Sequence, residues 1–197
     1  MKIVLASSNK HKVQEINDIV KSYGLDVEFI LPPSDFDPVE NGLSFEENSF
    51  IKAKAAWDIT KTWVLADDSG LCIDALNGKP GIYSARYDST PELRIKKVLN
   101  ELKGIKNRKA HFTCSMILLN PKGMIEYKFE GNCYGSIAEK ASGTNGFGYD
   151  PIFLLNNDTR TMAELSEEEK NQISHRAVAL KHVLHYIKGI TASDISL

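Results

Sequence analysis

An α/β fold built on a mixed β-sheet is the architecture the sequence predicts, and three observations carry it. Segments with helical spacing alternate with short apolar runs of strand type along the chain. Two long strand-like runs flank the turn Asn120-Pro121-Lys122-Gly123, the best antiparallel hairpin in the sequence. No linker is long enough to separate independent domains, so residues 1–190 are expected as one domain and 191–197 as a C-terminal tail.

The elements follow in order. Residues 2–6 (KIVLA) read as a buried strand. Ser7, Ser8 and Asn9 are helix-capping types, and Val13, Ile16 and Val20 then recur at helical spacing, with Gly24 as the stop. A strand is expected near Val27–Leu31, then the loop PPSDFDP. Ser44 and Glu47 have capping-box spacing and open a helix to about Ile59. Trp63–Ala66 reads as a strand ending in a tight turn at ADDSG, with LCID resuming a strand. After the loop NGKPGIYSARY, Thr90 caps a helix whose first residue is Pro91. Phe112–Leu119 and Met124–Tyr134 form the hairpin. A Gly-rich loop over 141–150 precedes the strand PIFLL, and a last helix runs from about Ser174 to Lys188 and ends at Gly189.

Composition narrows the function. The 197 residues are 42% apolar and 25% charged, which fits one ordinary domain and excludes wholesale disorder. Lys plus Arg is 24 against 26 for Asp plus Glu, so nothing draws the chain broadly to nucleic acid or anionic membrane. No apolar run reaches the roughly 18 residues of a membrane span. The apolar run Ile3–Ala6 is too short for a signal-peptide core, so a cytoplasmic protein is expected, with neither membrane nor nucleic acid as partner. The basic stretch from Arg94 to Lys109 lacks interleaved aromatics and reads as a solvated helix face and loop. Cys72, Cys114 and Cys133 contain no CxxC pair and read as core filling.

Five constellations carry chemistry. Ser7-Ser8-Asn9-x-x-Lys12 stands between a strand and a helix start, where free backbone N–H groups and the helix dipole suit a phosphate; plain capping is the alternative. It is neither a P-loop nor a dinucleotide fingerprint. Asp67 and Asp68, at a strand end, suit Mg²⁺ or the activation of a water; a self-capped Asp-Ser-Gly turn is the alternative. Glu40 and Lys52 look unremarkable by themselves. In Gly143-x-x-Gly146-Phe147-Gly148-Tyr149-Asp150, glycines let backbone approach a ligand, Phe147 offers a stacking face and Asp150 an acceptor. Lys170, Ser174, His175 and Arg176 offer donors near a helix start, or else a cap with two solvated side chains. His182 and His185 read as surface or packing residues.

Taken together and in order, these pieces are more specific than any one of them. SSNKHK, NGLSFEENSFIKAKA, LADDSGL, PGIYSARY, GTNGFGYDPIF and AELSEEEKNQISHRAVAL resemble the inosine triphosphate pyrophosphatase family from Ile3 to about Ile187. The resemblance implies an elongated two-lobed α/β fold around a central mixed sheet, with a cleft between the lobes and commonly a homodimer. It implies an Mg²⁺-dependent hydrolase, which converts noncanonical purine nucleoside triphosphates (ITP, dITP, XTP) to the monophosphate and pyrophosphate and so cleanses the pool.

By the same resemblance Ser7, Ser8, Asn9, Lys10, His11 and Lys12 form the triphosphate-binding turn. Glu40 and Asp68 hold the metal, and Asp68 is also the general base. Lys52 and Ser69 contact the nucleotide. Phe147, Gly148, Tyr149 and Asp150 form the base-binding loop, completed by Lys170, His175 and Arg176. Asp67 is expected to support its neighbour. A pyrophosphatase for pyrimidine or methylated nucleotides and a non-catalytic nucleotide-binding module are the rival readings.

Overall fold

In the computed structural model, the first apolar run forms strand β1 (Lys2–Leu5), followed by α1 (Lys10–Ser22), β2 (Glu28–Ile30) and α2 (Phe45–Thr60). The structure describes residues 1–33 and 36–194, without the side chains of His11, Glu15 and 191–194; Ser34 and Asp35 of the PPSDFDP loop and the last three residues of the expected tail lie outside the described residues. Then come β3 (Val64–Ile73), α3 (Pro91–Glu101), β4 (Lys109–Leu119), β5 (Ile125–Ile137), β6 (Phe153–Leu155), α4 (Glu167–Ile173) and α5 (His175–Asp194). The six strands form one sheet in the order β2-β1-β3-β4-β5-β6. β1 is parallel to both β2 and β3, while β5 and β6 are antiparallel, so the sheet is mixed as expected.

The helix starts follow local chemistry. The Ser44 hydroxyl accepts from the Glu47 N–H, and Glu47 returns a carboxylate to the Leu43 N–H. The Thr90 side chain accepts from the Leu93 N–H, with Pro91 in the first turn. The hairpin turn closes through the Gly123 N–H to the Asn120 carbonyl at 2.8 Å.

The chain divides into two compact units. The first holds residues 1–68, 114–131 and 179–197; the second holds 69–113 and 132–178. In the first unit strand alternation sorts the core into two layers. Ile3, Leu5, Leu65, Met116 and Leu118 pack with Ile16 and Val20 of α1 and with Leu180, Val183 and Leu184 of α5. Val4, Ala6, Val64, Ala66, Ile117 and Leu119 pack with Ala53 and Ala56 of α2. The small α2 residues let that helix lie close to the strands, and the buried Ser49 hydroxyl donates to the Ser115 carbonyl at 2.7 Å.

The second unit packs Val98 of α3 and the following Leu102 on Leu71, Ile73, Phe112, Ile152, Phe153 and Met162. Its basic stretch is less solvated than expected. Arg108 donates to the carbonyls of Leu102, Ile137 and Ala138, Arg94 to that of Asp88 and Lys97 to that of Tyr87. These cations satisfy carbonyls that the helix and strand ends leave open.

Four local expectations need correction. β3 runs unbroken through ADDSG as one strand from Val64 to Ile73, where the composition predicts a tight turn. α5 passes through Gly189, where no neighbour crowds the backbone, and continues to Asp194. Pro151 and Ile152 belong to a short 3₁₀ turn, leaving only Phe153–Leu155 as strand. α4 is an addition to the expected elements, although Ser166 and Glu169 form a capping box with the spacing of Ser44 and Glu47.

Gly123 has φ +75°, and a Cβ there would stand 2.7 Å from the Trp57 ring. Gly123→Ala is therefore expected to lower unfolding stability by about 1–3 kcal/mol in a urea titration. An unchanged midpoint would show that the hairpin tip yields freely.

Candidate active site

Strand β3 delivers two adjacent carboxylates to opposite sides of the sheet. Asp67 shares the parity of Leu65, and Asp68 that of Val64 and Ala66, so each points into a different layer of the first unit. Asp67 is 1% exposed, and both its oxygens accept from Lys12 Nζ, at 2.9 and 3.0 Å. Lys12 stands on the first turn of α1, so this pair ties the N-terminal turn to β3.

On the other side Asp68 meets α2. Lys52 Nζ lies 3.3 Å from Asp68 Oδ1 and 3.1 Å from Glu40 Oε2. The Asn48 amide donates to Asp68 Oδ2 at 3.2 Å. Asn48 and Lys52 are one helical turn apart, so α2 presents a neutral and a charged donor to the two oxygens of one carboxylate. Burial works against the Lys52 charge, but Asp67, Asp68 and Glu40 outweigh it and hold the ammonium above its ordinary pKa. Burial pushes the Asp68 carboxyl up. Lys52 pulls it back, Glu40 raises it further, and the net direction is upward.

Glu40 and Asp68 are the residues that fit a divalent metal. Both oxygens lie within 3.3 Å of one ammonium, so they already converge on a single cation. Hard carboxylate oxygens suit Mg²⁺, which takes one or two protein carboxylates and completes its shell with substrate phosphates and water. Among the described residues no cluster of three or more His, Cys, Asp or Glu could hold a metal ion.

The turn before α1 is a capped helix start. The Ser7 hydroxyl accepts from the Asn9 N–H at 3.1 Å, and Asn9 Oδ1 accepts from the Lys12 N–H at 3.4 Å. Ser8, Asn9 and Lys10 are exposed. His11 follows on α1, its side chain outside the described residues. The turn thus caps the helix at the place where backbone N–H groups suit an anion.

In the second unit Ser69 follows Asp68 along β3 and is partly buried. The Gly-rich loop is ordered around Asp150, whose Oδ2 accepts from the Phe147 N–H at 2.8 Å and from Lys170 Nζ at 2.6 Å. Gly146 (φ +72°) is needed there, because a Cβ would strike that same oxygen. Phe147 is exposed, with the Lys170 ammonium 4.4 Å and the Arg176 guanidinium 5.6 Å from its ring centre. Gly148 takes φ +62°. Tyr149 turns inward, and its hydroxyl donates to the Ser84 carbonyl at 2.9 Å while burial keeps the phenol protonated. Ser84 Oγ in turn accepts from the Leu71 N–H, so the PGIYSARY segment braces the loop from behind.

His175 and Arg176 are buried, 5% and 3% exposed, which removes the solvated alternative. The His175 ring stacks on Phe112 at 4.8 Å. His182 is a packing residue, stacked on Phe129 at 3.7 Å.

The structure thus groups Glu40, Lys52 and Asp68, pairs Lys12 with Asp67, and groups Phe147, Asp150, Lys170 and Arg176. The residue that sequence reasoning misses is Asn48. Its signal is its place four residues before Lys52, on the face of a helix already expected to start at Ser44.

The Ham1 family model matches residues 3–186. The chain is 48% identical over 198 residues to a Treponema denticola protein named dITP/XTP pyrophosphatase, covering 96% of this chain and all of that one. A protein of the same name from Halalkalibacterium halodurans is 47% identical over 186 residues, covering 91% of this chain and 95% of the relative. Among solved structures, the Ham1 protein of Staphylococcus aureus superposes with a TM-score of 0.87 at 41% identity, covering 96% of this chain and 99% of that one. A HAM1 protein from Coxiella burnetii gives 0.88 at 41% identity with the same coverage.

Lys12→Met removes the ammonium that both Asp67 oxygens accept from, so this buried charge is less well compensated. It is expected to cost about 2 kcal/mol of unfolding stability, less than a fully buried pair because Lys12 is partly solvated. Adding Asp67→Asn should recover most of that loss in urea titrations. Additive losses would show that the two residues are not coupled.

Proposed function

The chain belongs to the Ham1 family, and from that premise we propose that it hydrolyses the noncanonical purine nucleoside triphosphates dITP, ITP and XTP to the nucleoside monophosphate and pyrophosphate. The observation that carries this reading is the Asp68 carboxylate, half-buried on β3 and held through both oxygens by Asn48 and Lys52 beside Glu40.

A triphosphate brings several negative charges, so catalysis is mostly positioning and charge neutralisation. Lys12, Lys52 and the backbone N–H groups after Ser7 hold phosphate oxygens, with Ser8, Asn9, Lys10 and His11 completing the turn and Ser69 adding a contact. Asp68 orients a water and accepts its proton as the oxygen attacks the α-phosphorus, and pyrophosphate leaves in line. Glu40 and Asp68 would hold Mg²⁺, which would supply further charge neutralisation on the phosphates.

Base choice falls to the second unit. Hypoxanthine and xanthine carry a 6-keto acceptor and an N1–H donor; adenine carries the reverse. Phe147 offers the stacking face, and Lys170, His175 and Arg176 supply donors for O6. Asp150 Oδ2 already holds Lys170 and the Phe147 N–H, so it orders the loop, and a backbone carbonyl serves N1–H. Adenine there would leave polar groups unpaired, a penalty worth several orders of magnitude in rate. A cytoplasmic homodimer that clears the nucleotide pool before incorporation into DNA or RNA belongs to the same proposal. Among the described residues no helix is long and apolar enough to cross a membrane.

The test is turnover of ITP and XTP beside GTP, ATP, CTP and TTP, with and without Mg²⁺, resolving pyrophosphate from orthophosphate. ITP and XTP should exceed ATP by about a hundredfold or more in kcat/KM. Asp68→Asn should lose about a thousandfold in kcat while staying folded. Preference for a pyrimidine, orthophosphate as product, or near-normal turnover by Asp68→Asn would each overturn the proposal.

A further inference from the structure

Asn48 has no role in the chemistry just described, yet its surroundings are those of a built joint. It is 1% exposed on the inner face of α2. Its Nδ2 donates to Asp68 Oδ2 at 3.2 Å, and its Oδ1 accepts from the Gly42 N–H at 2.9 Å. Gly42 is two residues beyond Glu40. One amide therefore holds a carboxylate at one end and the loop bearing a second carboxylate at the other.

The chemistry fixes which way the amide points. Reversed, it would set a carbonyl oxygen against Asp68 and an NH₂ against the Gly42 N–H, so both contacts would turn repulsive. No aspartate, serine or apolar residue at position 48 supplies a donor to one side and an acceptor to the other at the same reach. The loop is shaped to match. A Cβ on Gly42 would lie 2.8 Å from Asn48 Oδ1 and 2.8 Å from Glu47 Cβ, so only glycine lets the loop approach this closely. Leu43 is tied to α2 as well, its N–H donating to Glu47 Oε2 at 2.7 Å.

We propose that Asn48, with Gly42 as its seat, is a positioning residue that sets the spacing of Glu40 and Asp68 and so tunes their affinity for a divalent cation. Lys52, one helical turn further along α2, bridges the same two carboxylates, so the pair is held at two points. Groups that orient metal ligands without touching the metal are worth about 10- to 100-fold in affinity or activity. The inference rests on the reading of Glu40 and Asp68 as a metal pair, and it separates Asn48 from a residue that merely fills a buried polar site.

The experiment uses the full chain and two variants, Asn48→Ala and Gly42→Ala. Asn48→Ala removes the joint; Gly42→Ala keeps every polar group and displaces the amide. Mn²⁺ binding to the nucleotide-free protein is followed by electron paramagnetic resonance, with kcat and KM for ITP and a thermal unfolding curve in parallel. Both variants should bind Mn²⁺ about tenfold more weakly and lose about 30-fold in kcat, with the KM for ITP changed by no more than about threefold.

A folded variant with unchanged Mn²⁺ affinity and unchanged kcat overturns the inference, as does a loss of activity matched by the fraction unfolded. If Asn48→Ala does not fold, Gly42→Ala decides by the same criteria; failure of both to fold assigns Asn48 to stability and likewise overturns it. Wild-type protein that binds Mn²⁺ but turns over no nucleoside triphosphate defeats the proposed function alone, because the binding comparison still stands.

Discussion

Everything in the first unit turns on the strand geometry that sends Asp67 and Asp68 to opposite sides of β3. Two adjacent carboxylates on one face would repel each other in a poorly solvated setting. A strand's twofold alternation removes that conflict by giving each its own layer and its own lysine. Asp67 becomes structural, a nearly inaccessible anchor for the first turn of α1. Asp68 stays partly accessible beside Lys52 and Glu40. The different settings of the two aspartates come from parity, not from residue type.

The second unit applies the same economy to a loop. Asp150 collects the Phe147 N–H and the Lys170 ammonium on one oxygen, so a flexible Gly-rich segment gains a fixed centre. Phe147 is left outside with a cation near its ring, while Tyr149 is drawn inward to Ser84. Of four consecutive residues, one is available for stacking and two hold it in place.

Much of this is legible in the sequence, and the reasons are physical. Capping chemistry is local, so Ser44 with Glu47 and Thr90 with Pro91 announce their helices. The hairpin is equally plain, because its turn and its apolar flanks are contiguous. Asp67-Asp68-Ser69-Gly70 reads as a turn because its composition matches one; what decides the matter is pairing with strands distant in sequence. α4 is hard to see despite a capping box at Ser166, since seven polar-rich residues show little periodicity. Glu40 and Lys52 are ordinary by themselves and gain meaning only from the family resemblance. The one local signal of Asn48 is its place one helical turn before Lys52, since its contacts depend on Gly42 and Asp68 meeting it in space.

If Asp68 activates a water, the oxygen of that water must end on the α-phosphorus. Hydrolysis of ITP in ¹⁸O-labelled water, with the products separated and analysed by mass spectrometry, follows that oxygen. The label should appear in the phosphoryl group of the nucleoside monophosphate and not in pyrophosphate. Label in pyrophosphate or in orthophosphate would place the attack at another phosphorus and contradict the proposed role of Asp68.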